Sequence, residues 1–311
     1  MTRRLDELAE ARLAELAEGG RLRRLRPYRR EGIDLVRTDG TRLIDFSGND
    51  YLGLSRHAQL IARAQEWTAH YGAGASASRL VTGTLDAYVA VEEKLAAFKG
   101  AEAALVFNAG FQANATILPE VAELLGETVI YADRLNHASL HHGIAAAGLR
   151  QQRFRHNDLD HLRSLLERDQ DKPGRRLIVT ESVFSMDGDR APLADLVALA
   201  DEFGAHLYVD EAHATGVLGP QGRGLTAVHQ GRIDIVMGTV GKALGGFGAY
   251  VAGSRALIEF LVNRCAGFIY STALPPALRC GFAAAFGSTH PMRLSAASRA
   301  GSIRSPKASN G

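Results

Sequence analysis

Thr239-Val240-Gly241-Lys242-Ala243-Leu244-Gly245-Gly246 places a lysine among glycines directly after the apolar residues 233–237. An earlier apolar run, residues 206–209, leads into Asp210-Glu211-Ala212-His213. Each run is typical of a buried strand, so the acid, the histidine and the lysine are expected at neighbouring strand ends. A lysine amine forms a Schiff base with an aldehyde, and a carboxylate pairs with a protonated pyridine nitrogen. The combination predicts a site for pyridoxal phosphate (PLP) around Lys242.

The composition narrows the class of protein. The chain has 311 residues, of which 46% are hydrophobic, enough for a large core. Its net charge of +2 gives no global attraction to nucleic acid or to anionic membranes. Two cysteines are too few for a disulfide framework, and no apolar run reaches the length of a membrane span. Acidic residues in the N-terminal helix argue against a secretory signal. A cytoplasmic protein without nucleic-acid or membrane partners is predicted.

Alternating helical and strand patterns predict the fold class. Residues 1–20 indicate a helix ended by Gly19-Gly20, and residues 34–46 a hairpin around Asp39-Gly40. Strands alternating with helices after residue 55 favour an α/β fold with a mostly parallel sheet flanked by helices. Ligands of such sheets bind at the carboxyl ends of the strands. The predicted strands are 103–107, 129–131, 177–180, 206–209, 235–237 and 249–252, and the helices include 85–99, 159–168 and 193–203.

Three further motifs allow a functional and a purely structural interpretation. The small residues 72–84 form either a flexible connection or a loop that lets the backbone approach a ligand. Residues 108–114 follow a predicted strand and open a helix, whose N–H groups could bind phosphate. In residues 133–142, three histidines suit a surface helix, or one of them stacks on an aromatic cofactor. A metal site is disfavoured there because no cysteine or carboxylate cluster completes it.

Two polar segments also leave alternatives open. Residues 21–30 hold six arginines, which suit a solvated arm or, for one of them, a substrate carboxylate. Residues 180–189 end another strand, and Ser185 could donate a hydrogen bond into the site, whereas Asp187-Gly188 suits a simple turn.

Taken together, these motifs resemble the α-oxoamine synthase family of fold-type I PLP-dependent enzymes. The resemblance runs from about residue 5 to residue 278 and implies the large-domain fold of that family and a homodimer. The motifs that carry it are Asn49-Asp50-Tyr51-Leu52-Gly53-Leu54, Asn136-His137-Ala138-Ser139, Val183-Phe184-Ser185-Met186-Asp187-Gly188, Asp210-Glu211-Ala212-His213 and Thr239-Val240-Gly241-Lys242.

The resemblance also implies residue roles. Lys242 would hold PLP and move the substrate α-proton, Asp210 would keep the pyridine nitrogen protonated, and His137 would stack on the ring. With His213 beside the ring hydroxyl, these four form the implied catalytic set. Arg23, Asn49 and His137 would bind substrate, and no metal is implied. The implied cofactor-binding residues are Gly110, Phe111, His137, Ser185, Asp210, His213, Thr239, Lys242, and, across the dimer interface, Ser271 and Thr272.

Within the family, residues 78–83, 107–114 and 269–276 are most similar to the member that serves biotin biosynthesis. Its implied reaction is a decarboxylative condensation of L-alanine with a pimeloyl thioester, carried on coenzyme A or on acyl carrier protein. One alternative is a glycine-using sister enzyme, such as 2-amino-3-ketobutyrate coenzyme A ligase or 5-aminolevulinate synthase. Another is a non-catalytic, truncated chain that binds PLP without turnover.

The resemblance also divides the chain. Residues 1–45 are expected to form an N-terminal helix and arm, and residues 46–278 the PLP-binding large domain. Residues 279–311 are poor in acids and rich in serine and arginine, so an aberrant, disordered tail is expected. The small C-terminal domain of the family is expected to be missing, which leaves turnover by this chain open.

Overall fold

The computed structural model describes residues 4–279 of the chain. By their internal contacts, the residues divide into two compact units between Gly48 and Asn49. A disordered tail is expected over residues 279–311, and residues 280–311 lie outside the described part of the chain.

The N-terminal unit contains one helix and a small antiparallel sheet. Helix α1 (Arg4–Glu18) ends at the predicted glycines. The sheet has the order β1 (Tyr28–Glu31), β2 (Asp34–Arg37) and β3 (Arg42–Ile44). The predicted hairpin is β2–β3, and its turn contains Gly40 with a φ of 85°. Strand β1 was not predicted, because its sequence, Tyr-Arg-Arg-Glu, lacks apolar alternation.

The second unit has the alternating architecture that the sequence predicts. Short 3₁₀ or π turns occur at Leu54–Arg56, Arg79–Gly83, Pro220–Gly222, Leu225–Val228 and Pro276–Arg279. The helices are α2 (Ala58–Tyr71), α3 (Asp86–Lys99), α4 (Gly110–Leu125), α5 (Ala138–Ala146), α6 (Leu159–Arg168), α7 (Leu193–Phe203), α8 (Arg255–Arg264) and α9 (Ala266–Ile269). The strands are β4 (Ala103–Phe107), β5 (Thr128–Asp133), β6 (Gln151–Phe154), β7 (Arg175–Glu181), β8 (Ala205–Asp210), β9 (Ile235–Thr239) and β10 (Ala249–Gly253).

These strands form one seven-stranded sheet in the order β4-β10-β9-β8-β7-β5-β6. The pairs within β9-β8-β7-β5-β6 are parallel. Strand β10 runs antiparallel to both β4 and β9. The fold-type I prediction is therefore confirmed for a mixed, mostly parallel sheet, with one antiparallel strand that the sequence patterns did not reveal. The edge strand β6 was also missed, because Gln151-Gln152-Arg153-Phe154 is mostly polar.

Both faces of the sheet are buried. In β5, Ile130 and Ala132 belong to one apolar cluster, whereas Tyr131, between them, belongs to the opposite one. Helices α4, α5 and α8 contribute to the first cluster, and α6 and α7 to the second. A third cluster joins α3 to β4 and β10. Because helices cover both faces, the open positions for a ligand lie at the strand ends. Among the residues described, no helix is long and apolar enough to cross a membrane.

Candidate active site

The predicted residues meet at the carboxyl ends of the central parallel strands. Asp210 ends β8, with Glu181 at the end of β7 as its neighbour in the sheet register. On its other side, Asp210 is aligned with Met237 in β9. A cleft of about 210 Å³ opens above these strand ends. Its lining consists of Gly110, Phe111, Asn114, His137, Ser139, Glu181, Asp210, Ala212, His213, Met237, Thr239 and Lys242.

Asp210 is a fixed, buried acceptor. The residue is only 4% exposed to solvent. Asn114 Nδ2 donates to Asp210 Oδ2 at 2.8 Å, and the Ala212 N–H donates to Asp210 Oδ1 at 2.8 Å. The Tyr208 hydroxyl in turn donates to Asn114 Oδ1 at 2.7 Å, which fixes the amide orientation. Burial raises the pKa of Asp210, although these hydrogen bonds oppose it. A cation placed against this carboxylate would offset its burial.

Lys242 lies in the tight connection between β9 and β10. The Gly245 N–H donates to the Lys242 carbonyl at 3.0 Å, and the Gly246 N–H to the Val240 carbonyl at 3.0 Å. Gly245 has a φ of 66°, and a Cβ there would lie 2.4 Å from the carbonyl carbon of Leu54. Only glycine allows that approach, so the lysine loop packs directly on the chain after Gly53.

Lys242 and His213 are in direct contact. Lys242 Nζ lies 3.1 Å from His213 Nε2, and the Tyr51 hydroxyl lies 2.7 Å from His213 Nδ1. Burial lowers the pKa of Lys242, although Asp210 and Glu181 oppose that shift. Burial, followed by the charge of Lys242, lowers the pKa of His213 to about 4. At neutral pH the imidazole is therefore uncharged, and the depressed lysine pKa favours the nucleophilic amine.

His137 caps helix α5 at the mouth of the cleft. Its Nδ1 lies 2.7 Å from the Ser139 hydroxyl and accepts the Ser139 N–H at 3.2 Å. The His137 N–H donates to Glu181 Oε1. Ser139 also accepts from Asn114 Nδ2 at 2.9 Å, so the group that holds Asp210 is linked to the histidine cap. The ring of His137 is thereby held on the cleft by a network of buried polar groups.

Glu181 is a second buried carboxyl group beside Asp210. Burial first, and the neighbouring Asp210 second, raise the pKa of Glu181 to about 8. The two carboxyl groups titrate as a coupled pair, since both cannot be ionised cheaply in one buried site. In the chain without cofactor, the pair therefore keeps a proton at neutral pH.

This pair makes stability depend on pH. In the native state Glu181 keeps its proton up to about pH 8, whereas the unfolded side chain ionises near its ordinary value of 4.5. The native state therefore binds more protons in that window, and stability falls as pH rises through it. For the cofactor-free chain, we expect the urea midpoint to fall less between about pH 5 and pH 8 in Glu181→Gln than in the wild type. The exposed Glu93→Gln is the matched control, and an equal pH slope in all three proteins would contradict the pairing.

The N-terminus of α4 forms the other end of the cleft. Gly110 and Phe111 begin this helix, where backbone N–H groups lack intrahelical acceptors and favour an anion. A Cβ at Gly110 would lie 2.9 Å from Thr239 Cγ2, so only glycine keeps the helix start this close to β9. The Thr239 hydroxyl contacts the Ala212 carbonyl at 3.4 Å.

The residues present fit PLP. They provide an amine of lowered pKa, a buried carboxylate for a protonated ring nitrogen, and a helix N-terminus for a phosphate group. The strongest observation is the buried carboxyl pair, because a pyridinium cation beside it would stabilise the ionised form that burial disfavours. The fold brings four of the predicted residues to one cleft, namely Asp210, His213, Lys242 and His137. The role of each residue stays a prediction.

Other predicted positions lie outside the cleft lining. Ser185 is exposed in the loop after β7. Ser271 and Thr272 are held by Asn108, whose Nδ2 donates to Ser271 Oγ at 2.9 Å and to the Thr272 carbonyl at 2.8 Å. Asn49 is exposed and accepts from the Tyr51 hydroxyl at 3.1 Å. Arg23 is exposed in the N-terminal unit.

Several cleft residues were not singled out from the sequence. Asn114, Ser139 and Glu181 fall inside quoted motifs without an assigned role. The same holds for Tyr51, which lies outside the cleft lining and contacts His213. Asn114 lies one helical turn after the start of α4, and Ser139 two residues after His137. A polar residue at such a position in an otherwise apolar helix face could have indicated them.

A buried ion pair holds the residue that directly follows β8. Lys99, at the end of α3, contacts Glu211 and the Arg223 carbonyl, and it is 4% exposed. Glu211 also accepts the Thr226 N–H at 2.9 Å and the Thr226 hydroxyl at 2.6 Å. Since Glu211 directly follows Asp210, this network fixes the backbone of the predicted catalytic segment.

Removing one partner of that pair should be costly. In Lys99→Ala, Glu211 is left buried without its cation, so we expect the free energy of unfolding to fall by about 3–5 kcal/mol. Chemical denaturation measures the change, with the exposed Lys94→Ala as the matched control. A loss no larger than that of the control would contradict the importance of the pair.

Comparisons with known proteins then assign the family. Residues 41–294 match the family described as aminotransferase class I and II. A protein of Gluconacetobacter diazotrophicus named 8-amino-7-oxononanoate synthase is 59% identical over 278 residues, covering 88% of this chain and 70% of that protein. This chain belongs to the aminotransferase class I and II family, among the 8-amino-7-oxononanoate synthases. Another synthase of that name, from Geotalea daltonii, is 47% identical over 276 residues, with 88% and 70% covered.

Solved structures agree with this membership among the synthases. Serine palmitoyltransferase from S. paucimobilis, with a bound PLP–myriocin aldimine, has a TM-score of 0.81 and 30% identity, covering 92% of this chain and 72% of that chain. The 8-amino-7-oxononanoate synthase from Francisella tularensis has a TM-score of 0.64 and 32% identity, covering 78% and 67%. The predicted family, fold type and cofactor are thereby confirmed. The chain is a PLP-dependent acyltransferase of the family that serves biotin synthesis.

Proposed function

We propose that the chain catalyses the decarboxylative condensation of L-alanine with a pimeloyl thioester, on coenzyme A or acyl carrier protein, to 8-amino-7-oxononanoate. The products are the amino ketone, carbon dioxide and the free thiol. The names of relatives at 47–59% identity support this product. The single observation in the fold that carries the proposal is the contact of Lys242 with His213 beside the buried carboxylate of Asp210.

PLP, when bound, supplies an electron sink that stabilises a carbanion at the α-carbon of an amino acid. Lys242 is proposed to hold the cofactor and, once displaced by substrate, to take the α-proton on Nζ. Its depressed pKa suits both tasks, because the uncharged amine is the nucleophile and the base.

The buried polar groups are proposed to keep charge in place during the reaction. Asp210, fixed by Asn114 and by the Ala212 N–H, would keep the pyridine nitrogen protonated. His137, fixed by Ser139, would lie against the ring face. His213 and Ser185 would hydrogen-bond around the ring hydroxyl. Such preorganised groups need no rearrangement when charge develops.

Other residues are proposed to bind the cofactor phosphate and the substrate carboxylates. Gly110 and Phe111 at the start of α4, with Thr239, would bind the cofactor phosphate. Ser271 and Thr272 are proposed to reach the phosphate of the partner subunit in a homodimer, as in the family pattern. Asn49 and Arg23 are proposed to bind substrate carboxylates, and for Arg23 the support is its sequence position alone.

The test is thiol release by the purified, PLP-loaded chain with pimeloyl-coenzyme A and either L-alanine or glycine. We expect release that depends on L-alanine and is accompanied by 8-amino-7-oxononanoate in the mass spectrum. Faster release with glycine would favour a glycine-using sister enzyme. Bound PLP without release from either amino acid would favour a non-catalytic chain.

A further inference from the structure

Tyr51 has no role in the proposed function, yet its hydroxyl is in contact with the predicted active site. It lies 2.7 Å from His213 Nδ1, on the side of the imidazole opposite to Lys242. It also lies 3.1 Å from Asn49 Oδ1. Four groups, Asn49, Tyr51, His213 and Lys242, therefore form one continuous row of hydrogen bonds from an exposed amide to the cleft.

The number of protons in this row allows few arrangements. A tyrosine has one hydroxyl proton, and the amide oxygen Oδ1 of Asn49 can only accept. If the hydroxyl donated to His213, two sets of lone pairs would face each other at 3.1 Å between Tyr51 and Asn49. Both contacts of Tyr51 are satisfied only when its proton points to Asn49 and its oxygen accepts from His213 Nδ1–H.

The other end of the row is satisfied by the same arrangement whether Lys242 is charged or uncharged. An uncharged imidazole carries one proton, so a protonated Nδ1 leaves a lone pair on Nε2. Lys242 Nζ, at 3.1 Å, donates to that lone pair as either an ammonium or an amine. As an ammonium it has no lone pair and could not accept from Nε2–H.

The chain geometry holds Tyr51 in this place. Gly53 adopts a φ of 65°, which turns the chain just after Tyr51. The following residues Leu54 and Ser55 pack against Gly245, three residues beyond Lys242, so closely that no Cβ fits there. The loop that carries Tyr51 and the loop that carries Lys242 are therefore fixed against each other.

We propose that Tyr51, held by Asn49, is a positioning residue that fixes His213 as the Nδ1–H tautomer and turns the lone pair of Nε2 toward Lys242. Because Lys242 then donates to His213, the lone pair of its amine stays free to attack an aldehyde carbon. In the opposite tautomer, Nε2–H would occupy that lone pair and slow the attack. The consequence for PLP attachment rests on the proposed role of Lys242, whereas the tautomer itself does not.

The tautomer can be measured in the cofactor-free chain. Nitrogen NMR of ¹⁵N-histidine-labelled protein distinguishes a protonated ring nitrogen from an unprotonated one, and loss of a signal pair in His213→Gln assigns the residue. We expect His213 to show a protonated Nδ1 and an unprotonated Nε2. In Tyr51→Phe, and independently in the exposed Asn49→Ala, the signals should move toward the opposite tautomer. Tyr28→Phe, in the N-terminal unit, is the matched control.

A second readout is the rate at which added PLP becomes covalently attached to the chain, which visible absorbance monitors. We expect Tyr51→Phe to slow attachment by about 2- to 10-fold, which corresponds to the net free energy of one hydrogen bond. Tyr28→Phe should leave the rate of attachment unchanged. A protonated Nε2 in the wild type, or signals unchanged in both Tyr51→Phe and Asn49→Ala, would overturn the proposal. Failure of the proposed function would instead show as absent thiol release, with the histidine signals as expected.

Discussion

Lys242→Ala is expected to abolish covalent attachment of PLP and to lower turnover by about 10⁴-fold, the upper range for loss of a general base. The nearest basic group to the vacated space is His213, and burial, the largest cause of its lowered pKa, remains when Lys242 is removed. An imidazole so reluctant to take a proton is a poor substitute base. The measurements are the visible absorbance of the PLP-loaded protein and thiol release with L-alanine.

Lys94→Ala is the matched control for that experiment. Lys94 is an exposed residue of helix α3, so its removal tests the loss of a lysine without touching the cleft. A Lys242→Ala protein that keeps covalent PLP or normal turnover would contradict the assignment of this residue.

Asp210→Asn is expected to lower turnover by about 10³-fold while PLP still becomes covalently attached. An uncharged amide cannot hold a proton on the pyridine nitrogen, so the ring withdraws electrons less well. The amide also cannot accept both N–H groups that Asp210 accepts from Asn114 and Ala212. Steady-state turnover and the visible spectrum of the loaded protein measure the two effects separately.

The isosteric Asp195→Asn, at an exposed site in α7, controls for the loss of a negative charge. Turnover by Asp210→Asn as fast as that of this control would contradict the proposed role of Asp210. Loss of PLP binding altogether would instead mean that Asp210 acts mainly in assembly of the site.

The catalytic end of the fold could be predicted because strand ends are visible in the sequence. Residues 206–209 and 235–237 are short apolar runs followed at once by polar or glycine-rich segments. Such runs become parallel strands, and parallel strands end at one edge of the sheet. On this reasoning the sequence alone predicts that Asp210, His213 and Lys242 lie near one another.

Other features of the strands could not be predicted, because they depend on pairing with neighbouring strands. Nothing in the pattern of β10 distinguishes an antiparallel strand from a parallel one, since both of its faces are buried and apolar. Strands β1 and β6 are stabilised by neighbouring strands and not by their own apolar pattern. Periodicity within one segment cannot report such pairing.

The contacts of the supporting polar residues in the site could not be predicted from sequence patterns either. Asn114 contacts Asp210 across 96 positions of the chain, and Tyr51 contacts His213 across 162. Glu181 had the signature of a strand end, but its role as the partner of a buried carboxyl group follows only from the sheet register. The partners of these residues follow only from the fold that brings them together.

Lys242 is the residue proposed to hold PLP. Borohydride reduction of the PLP-loaded chain, followed by proteolysis and mass spectrometry, tests this role directly. We expect the added mass of reduced PLP on the peptide that contains Lys242 and no added mass on peptides that contain Lys94, Lys99 or Lys172. Modification of any of those three lysines in place of Lys242, or of none, would contradict the account.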